Sequence, residues 1–167
     1  MSEIDDRVKE ARLLSATGRP EEALAVAEEV LDQEPERLDA LLLKAQILHE
    51  QGADQSALAL YERAVRLAPL SPQAWNDRAR CLHALAQDDE ALAAARRARA
   101  LLDDDAAHAR LFAAVSLTLI WCLREKRLFR EALAAAEECL LRAPDAVVAE
   151  WAGQIEQELE ESERERC

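Results

Sequence analysis

Aromatic residues are nearly missing from this chain. They make up 4% of 167 positions, as three Trp, two Phe and one Tyr. Val, Ile and Thr are also scarce, so there is little of the material from which strands are built. Only three glycines occur, at 18, 52 and 153, far apart from one another. That spacing excludes a glycine-rich phosphate loop and a nucleophile elbow, and no H-E-x-x-H metal motif is present. No catalytic activity and no cofactor are therefore expected. The four cysteines, Cys81, Cys122, Cys139 and Cys167, never fall at C-x-x-C spacing. In a chain that opens on Met-Ser-Glu-Ile-Asp-Asp-Arg, with no basic-then-apolar leader, they are expected to be reduced thiols in the cytoplasm. Long apolar runs are lacking too: the longest uncharged one, Leu111 to Leu123, is too short to span a bilayer.

Positive charge is in deficit. Against 34 Asp and Glu stand 21 Lys and Arg, a net charge of −13, which disfavours nucleic-acid phosphates as partners. Most of the excess lies in residues 1–37 and 150–167, so two acidic ends flank a nearly neutral body. What the chain has in abundance is Ala (35) and Leu (27), the composition of a helical protein.

Those residues recur with a period. Gly18-Arg-Pro-Glu-Glu-Ala-Leu aligns with Gly52-Ala-Asp-Gln-Ser-Ala-Leu 34 residues on, and with Ala86-Gln-Asp-Asp-Glu-Ala-Leu after another 34. Arg127-Leu-Phe-Arg-Glu-Ala-Leu follows at a spacing of 41. Pro35, Pro69 and Pro144 share a register; so do Ala11, Ala45, Ala79 and Ile120, and Leu14, Leu48, Leu82 and Leu123. Each unit reads as two antiparallel helices. Small residues let the pair approach closely, Gly ends the first helix in a left-handed turn, and Pro stops the second. One such pair cannot bury its own apolar face, so pairs must stack.

This pattern resembles the tetratricopeptide repeat family across about residues 4–144. The resemblance implies an all-α fold, a right-handed superhelical solenoid of four helix-turn-helix repeats at about 4–36, 37–70, 71–104 and 105–145. Repeat four departs from the pattern: it lacks the Gly and carries a seven-residue insertion. The insertion predicts a first helix lengthened to about 106–126, with the stretch Asp103-Asp104-Asp105 offering an N-cap. A capping helix is expected over 146–163, with Val148, Trp151, Ala152, Ile155 and Leu159 as its apolar stripe, and a tail over 164–167.

The resemblance also implies a concave groove lined by the first helix of each repeat. Its positions here include Arg12; Leu42, Leu43, Gln46 and His49; Asn76, Asp77, Arg80 and His83; and Leu117, Trp121 and Arg124. A protein segment, either a peptide or an amphipathic helix, would bind there, with Leu111 and Phe112 extending the apolar patch; the rival reading is that the capping helix and neighbouring repeats cover the apolar face of this helix themselves. The carboxylate clamp that some relatives use for chaperone tails would fall on Val8, Arg12, Leu43, Gln73 and Asp77, none of which keeps its clamp residue.

No metal site is expected. His49 and His83 occupy one position in adjacent repeats, on the order of 10 Å apart, too far to share an ion. Cys81 and His83, two apart on a helix, point to different faces. Arg96, Arg97 and Arg99 near a helix C-terminus complement its dipole, with an anion patch as the rival reading.

The function implied is a non-enzymatic adaptor or scaffold of bacterial type. Two alternatives stand beside it. One is a dedicated chaperone for a secreted or assembling client, although such relatives carry an extra helical region before the first repeat. The other is a self-assembling protein that forms a homodimer through an apolar patch.

Overall fold

The computed structural model describes residues 3–102 and 109–165. Among these residues there are nine α-helices and no strand. They are α1 (Glu3–Ala16), α2 (Pro20–Gln33), α3 (Leu38–Glu50), α4 (Asp54–Leu67), α5 (Pro72–Ala84), α6 (Asp88–Ala100), α7 (Ala109–Glu125), α8 (Phe129–Arg142) and α9 (Ala146–Arg164). The chain is a helical-repeat solenoid of four hairpins closed by a last helix. Of the helix expected over 106–126 the described residues show Ala109–Glu125, and its expected start, with the cap in Asp103-Asp104-Asp105, lies outside them.

Local chemistry sets the helix ends. Pro20 and Pro72 stand in the first turns of α2 and α5, where the missing N–H costs nothing. Ser71 accepts from the Ala74 amide at 3.3 Å, and Asp145 from the Val147 and Val148 amides at 2.8 and 3.2 Å.

The turn inside each hairpin is one construction used four times. The amides of Arg19, Ala53, Gln87 and Leu128 donate to the carbonyls of Leu14, Leu48, Leu82 and Leu123, five residues back, at 2.8–2.9 Å. This closure needs a left-handed residue just before the donor. Gly18 and Gly52 supply it at φ 77° and 76°; Ala86 and Arg127 adopt it at 56° and 55° without being glycine. The tertiary frame therefore imposes a backbone that the last two hairpins' own residues disfavour. At Gly52 an added Cβ would meet nothing within 4 Å. Gly52→Ala is thus expected to cost about 1 kcal/mol through the backbone alone, read as a lowered urea midpoint.

The small residues of the repeat sit where helices meet. Ala11, Ala45 and Ala79 of α1, α3 and α5 are buried, as is Ile120 of α7. Ala23, Ala57, Ala91 and Ala132 of α2, α4, α6 and α8 are wholly buried. Successive first helices touch (α1 with α3, α3 with α5, α5 with α7), and each second helix packs between the first helices on either side of it. The main core runs from Ala45 to Ile155 and takes in Tyr61, Phe112, Val115, Ile120 and Val148.

Ion pairs stitch neighbouring hairpins. Arg37 holds Asp5 at 2.6 Å, Asp39 at 2.7 Å and Glu34 at 3.2 Å, tying α1 to the start of α3. Arg96 reaches Glu131 at 2.6 Å and Arg99 reaches Glu138 at 2.5 Å, so these two arginines of α6 clamp α8 rather than form an open anion patch. Pairs open to solvent in this way set register more than stability.

Candidate functional site

The expected groove residues divide between two clefts and positions that line neither. The first cleft, about 520 Å³, lies across α1, α3 and α5. Leu38, Leu42 and Leu43 give it an apolar side, while Arg12, Ser15, Asp39, Gln46, Gln73 and Asp77 supply polar groups. Leu43 is itself buried against Val26, Ile47 and Ala11, so it anchors the wall, and Leu42 and Gln46 present the accessible surface.

The second cleft, about 480 Å³, lies between α7 and α9. Trp121, Arg124, Phe129, Trp151 and Glu158 are among its walls. Arg124 is half-buried here and committed to α9: it donates to Glu158 at 2.5 and 3.1 Å and to Gln154 at 3.4 Å. Its guanidinium pKa is raised, first by the hydrogen bond to Glu158. Arg124 was expected to face the groove, but the capping helix takes it, because a half-buried cation needs a nearby carboxylate.

His49, Asn76, Arg80, His83 and Leu117 line neither cleft. Arg80 is exposed; Leu117 is half-buried against the main core; Asn76 is buried, and its side-chain oxygen has no hydrogen-bond partner. His83 packs against Trp121, ring centroids 3.9 Å apart. Phe112, expected to extend an apolar patch, is instead buried beneath the guanidinium groups of Arg99 and Arg142 at 4.8 and 5.1 Å. The chain's own helices cover most of α7, since Val115, Ser116, Thr118, Leu119, Ile120, Cys122 and Leu123 are all buried. Trp121 is the large apolar side chain of α7 left at the surface, 38% exposed.

Asp77 lies on the wall of the first cleft. Burial pushes its carboxyl above the usual range, opposed by the charge of Arg80 and by hydrogen bonds with Gln73 and Asn76. A carboxyl raised in this way holds its proton more tightly folded than unfolded. It favours the fold below the ordinary carboxylate value, about 3.9, and that contribution is lost as pH rises through the folded value. Asp77→Asn is therefore expected to raise the urea midpoint at pH 7, with the difference shrinking as the pH falls toward 4.

One cluster is assembled across repeats rather than by spacing within a helix. His49 at the end of α3, Asp54 at the start of α4 and Cys81 within α5 bring a ring nitrogen, a carboxylate oxygen and a sulfur within 4.8 Å of one another. The His49 Nδ1 to Asp54 Oδ1 distance is 2.5 Å, and the Cys81 thiol donates to the Asp54 carbonyl at 3.2 Å. The cluster joins the hairpin turn of one repeat to the first helix of the next, a pairing that spacing along a single helix does not reveal. The 34-residue period, which stacks each first helix on its predecessor, is the sequence signal that points to it.

Two family models described as tetratricopeptide repeat match the chain, over residues 8–72 and 60–93. Among solved structures, the fold resembles that of YrrB, described as a TPR protein with an unusual peptide-binding site. That likeness has 21% identity and a TM-score of 0.73, covering 92% of this chain and 76% of that one. It also resembles pilF of Pseudomonas aeruginosa (16% identity, TM-score 0.83, 95% and 69% covered). A third is the type III secretion chaperone SycD of Yersinia enterocolitica, in complex with a peptide of the translocator YopD (18% identity, TM-score 0.67, 73% and 93% covered). No curated protein matches the sequence. No helix among the described residues is long and apolar enough to cross a membrane.

Proposed function

The chain belongs to the tetratricopeptide repeat family, and from that premise we propose that it is a non-enzymatic adaptor that binds a protein segment along its row of first helices. The observation that carries this reading is the cleft across α1, α3 and α5. It is built from three successive first helices, with Leu38 and Leu42 beside Arg12, Gln46 and Gln73. Such a surface suits a short segment that buries one apolar side chain and offers its backbone to polar groups at the edges. The likeness to a peptide-binding TPR protein supports the assignment. Trp121, at the edge of the second cleft, is the next anchor, since Trp is among the residues that most often dominate interfaces.

The test is capture of partners from native lysate, identification of what is retained, and repetition with Leu42→Asp and Trp121→Ala. Trp121 is exposed and Leu42 is half-buried against the core, so circular dichroism checks that each variant stays folded. Loss of at least about tenfold in affinity by either variant is expected for an anchor residue. Undiminished capture by both removes the groove reading.

The likeness to SycD favours a second reading, in which the same surface holds an apolar client that is unstable alone. Co-purification with one stoichiometric client that precipitates when expressed without this chain distinguishes the chaperone from the adaptor.

A further inference from the structure

The geometry at the junction of the second and third hairpins points to a binding site for a single zinc-class metal ion, held by His49 Nδ1, Asp54 Oδ1 and Cys81 Sγ. The three donor atoms lie within 4.8 Å of one another, with the nitrogen and oxygen 2.5 Å apart. Zinc bonds of about 2.0–2.3 Å in a tetrahedron place ligand atoms about 3.3–3.6 Å from each other. Closing the widest gap and opening the narrowest each need a shift of roughly 1 Å or a little more, which side-chain rotation supplies.

The donor set selects the class of ion. A sulfur and an imidazole nitrogen disfavour calcium and magnesium, which take oxygen. One thiolate and one carboxylate neutralise a dication, so the filled site would bury no net charge. Three protein ligands leave a fourth position for water or a partner's side chain. His49 and Asp54 are half-buried, with side chains 17% and 19% exposed, so an ion can enter past them, while Cys81 is fully buried and forms the floor. Burial pushes the Cys81 thiol up to about 11. Binding must therefore displace its proton to solvent, and affinity rises with pH.

The next junction provides an internal contrast. His83 and Asp88 repeat the pair, with Nδ1 and Oδ1 3.3 Å apart, and Cys122 stands in the place of Cys81. There the Trp121 ring lies against His83. Among the described residues, only the His49, Asp54 and Cys81 set brings its donor atoms within 4.8 Å. One ion per chain is expected, clamping α5 to the α3/α4 turn.

The experiment titrates the reduced, chelator-treated full chain with cobalt(II), a spectroscopic stand-in for zinc. A thiolate-to-cobalt charge-transfer band should grow to saturation at one equivalent and vanish when zinc is added. Cys81→Ala should abolish the band. His49→Ala and Asp54→Ala should each weaken binding by more than the roughly 10–100-fold that loss of a mere outer partner costs, and Cys122→Ala should leave it intact. Should Cys81→Ala fail to fold, the half-buried His49→Ala decides. Absence of the band, its survival in Cys81→Ala, or equal loss in Cys122→Ala overturns the site.

Discussion

Tyr61→Ala is expected to remove about 3–5 kcal/mol of stability, the range for deleting a large buried aromatic. Tyr61 is the largest of the fully buried side chains, 2% exposed in the middle of the main core. At the same repeat position the other hairpins carry Ala27, Ala95 and Ala136. The volume that Tyr61 fills on α4 is therefore not duplicated at the equivalent positions of the other hairpins. Against a total of about 5–15 kcal/mol for a domain, this loss is about a fifth or more. Urea denaturation followed by circular dichroism reads it as a lowered midpoint. Because each repeat leans only on its neighbours, the transition should also broaden or split as the central hairpin weakens relative to those on either side. A midpoint unchanged within error would mean that the α4 face is not part of the continuous core.

Truncation after Pro144, which removes α9, should have the other large effect. Val148 and Ile155 of this helix are fully buried in the main core, with Trp151 and Leu159 packed partly against it. Burying an aliphatic side chain contributes about 1.5–3 kcal/mol, so the first two alone account for about 3–6 kcal/mol. The same cut releases Arg124 from Glu158 and Arg130 from Glu163. The uncovered face of α7 and α8 would then be a contiguous apolar patch in water, which drives association. Light scattering should report self-association of the truncated chain at concentrations where the full chain shows none. A monodisperse truncated chain with an unchanged thermal midpoint would show that α9 does not close the core.

Much of the fold is legible in the sequence because its determinants are local and repeated. The 34-residue recurrence of Gly, Ala-Leu and Pro names the hairpins, the tight helix contacts and the left-handed turns, and the structure has all of them. Even the departures make physical sense. Ala86 and Arg127 stand where glycine would be cheaper, and the turn persists because its i to i−5 hydrogen bond and the packing on both sides outweigh a strain of about 1–2 kcal/mol.

The candidate site was legible in part. Leu42, Leu43 and Gln46 all line one cleft, and Gln46 lies one turn on from both leucines, as residues three and four apart on a helix share a face. Arg124 could not be placed from its helix position, because its partners are on α9, 30 and 34 residues away. Phe112 carries no sign in the sequence that two arginines, one on α6 and one on α8, would cover it.

The sequence by itself determined that this chain is a row of helix pairs, how each pair turns, and that its acidic charge sits mainly toward its two ends. Tertiary structure alone decided which side chains of different pairs meet: His49 and Asp54 with Cys81, His83 with Trp121, and Arg124 with Glu158. Periodicity specifies backbone and burial through neighbours three or four residues apart. The stacking angle between hairpins specifies the rest, and it emerges from the summed packing of many small contacts that no short stretch of the chain encodes.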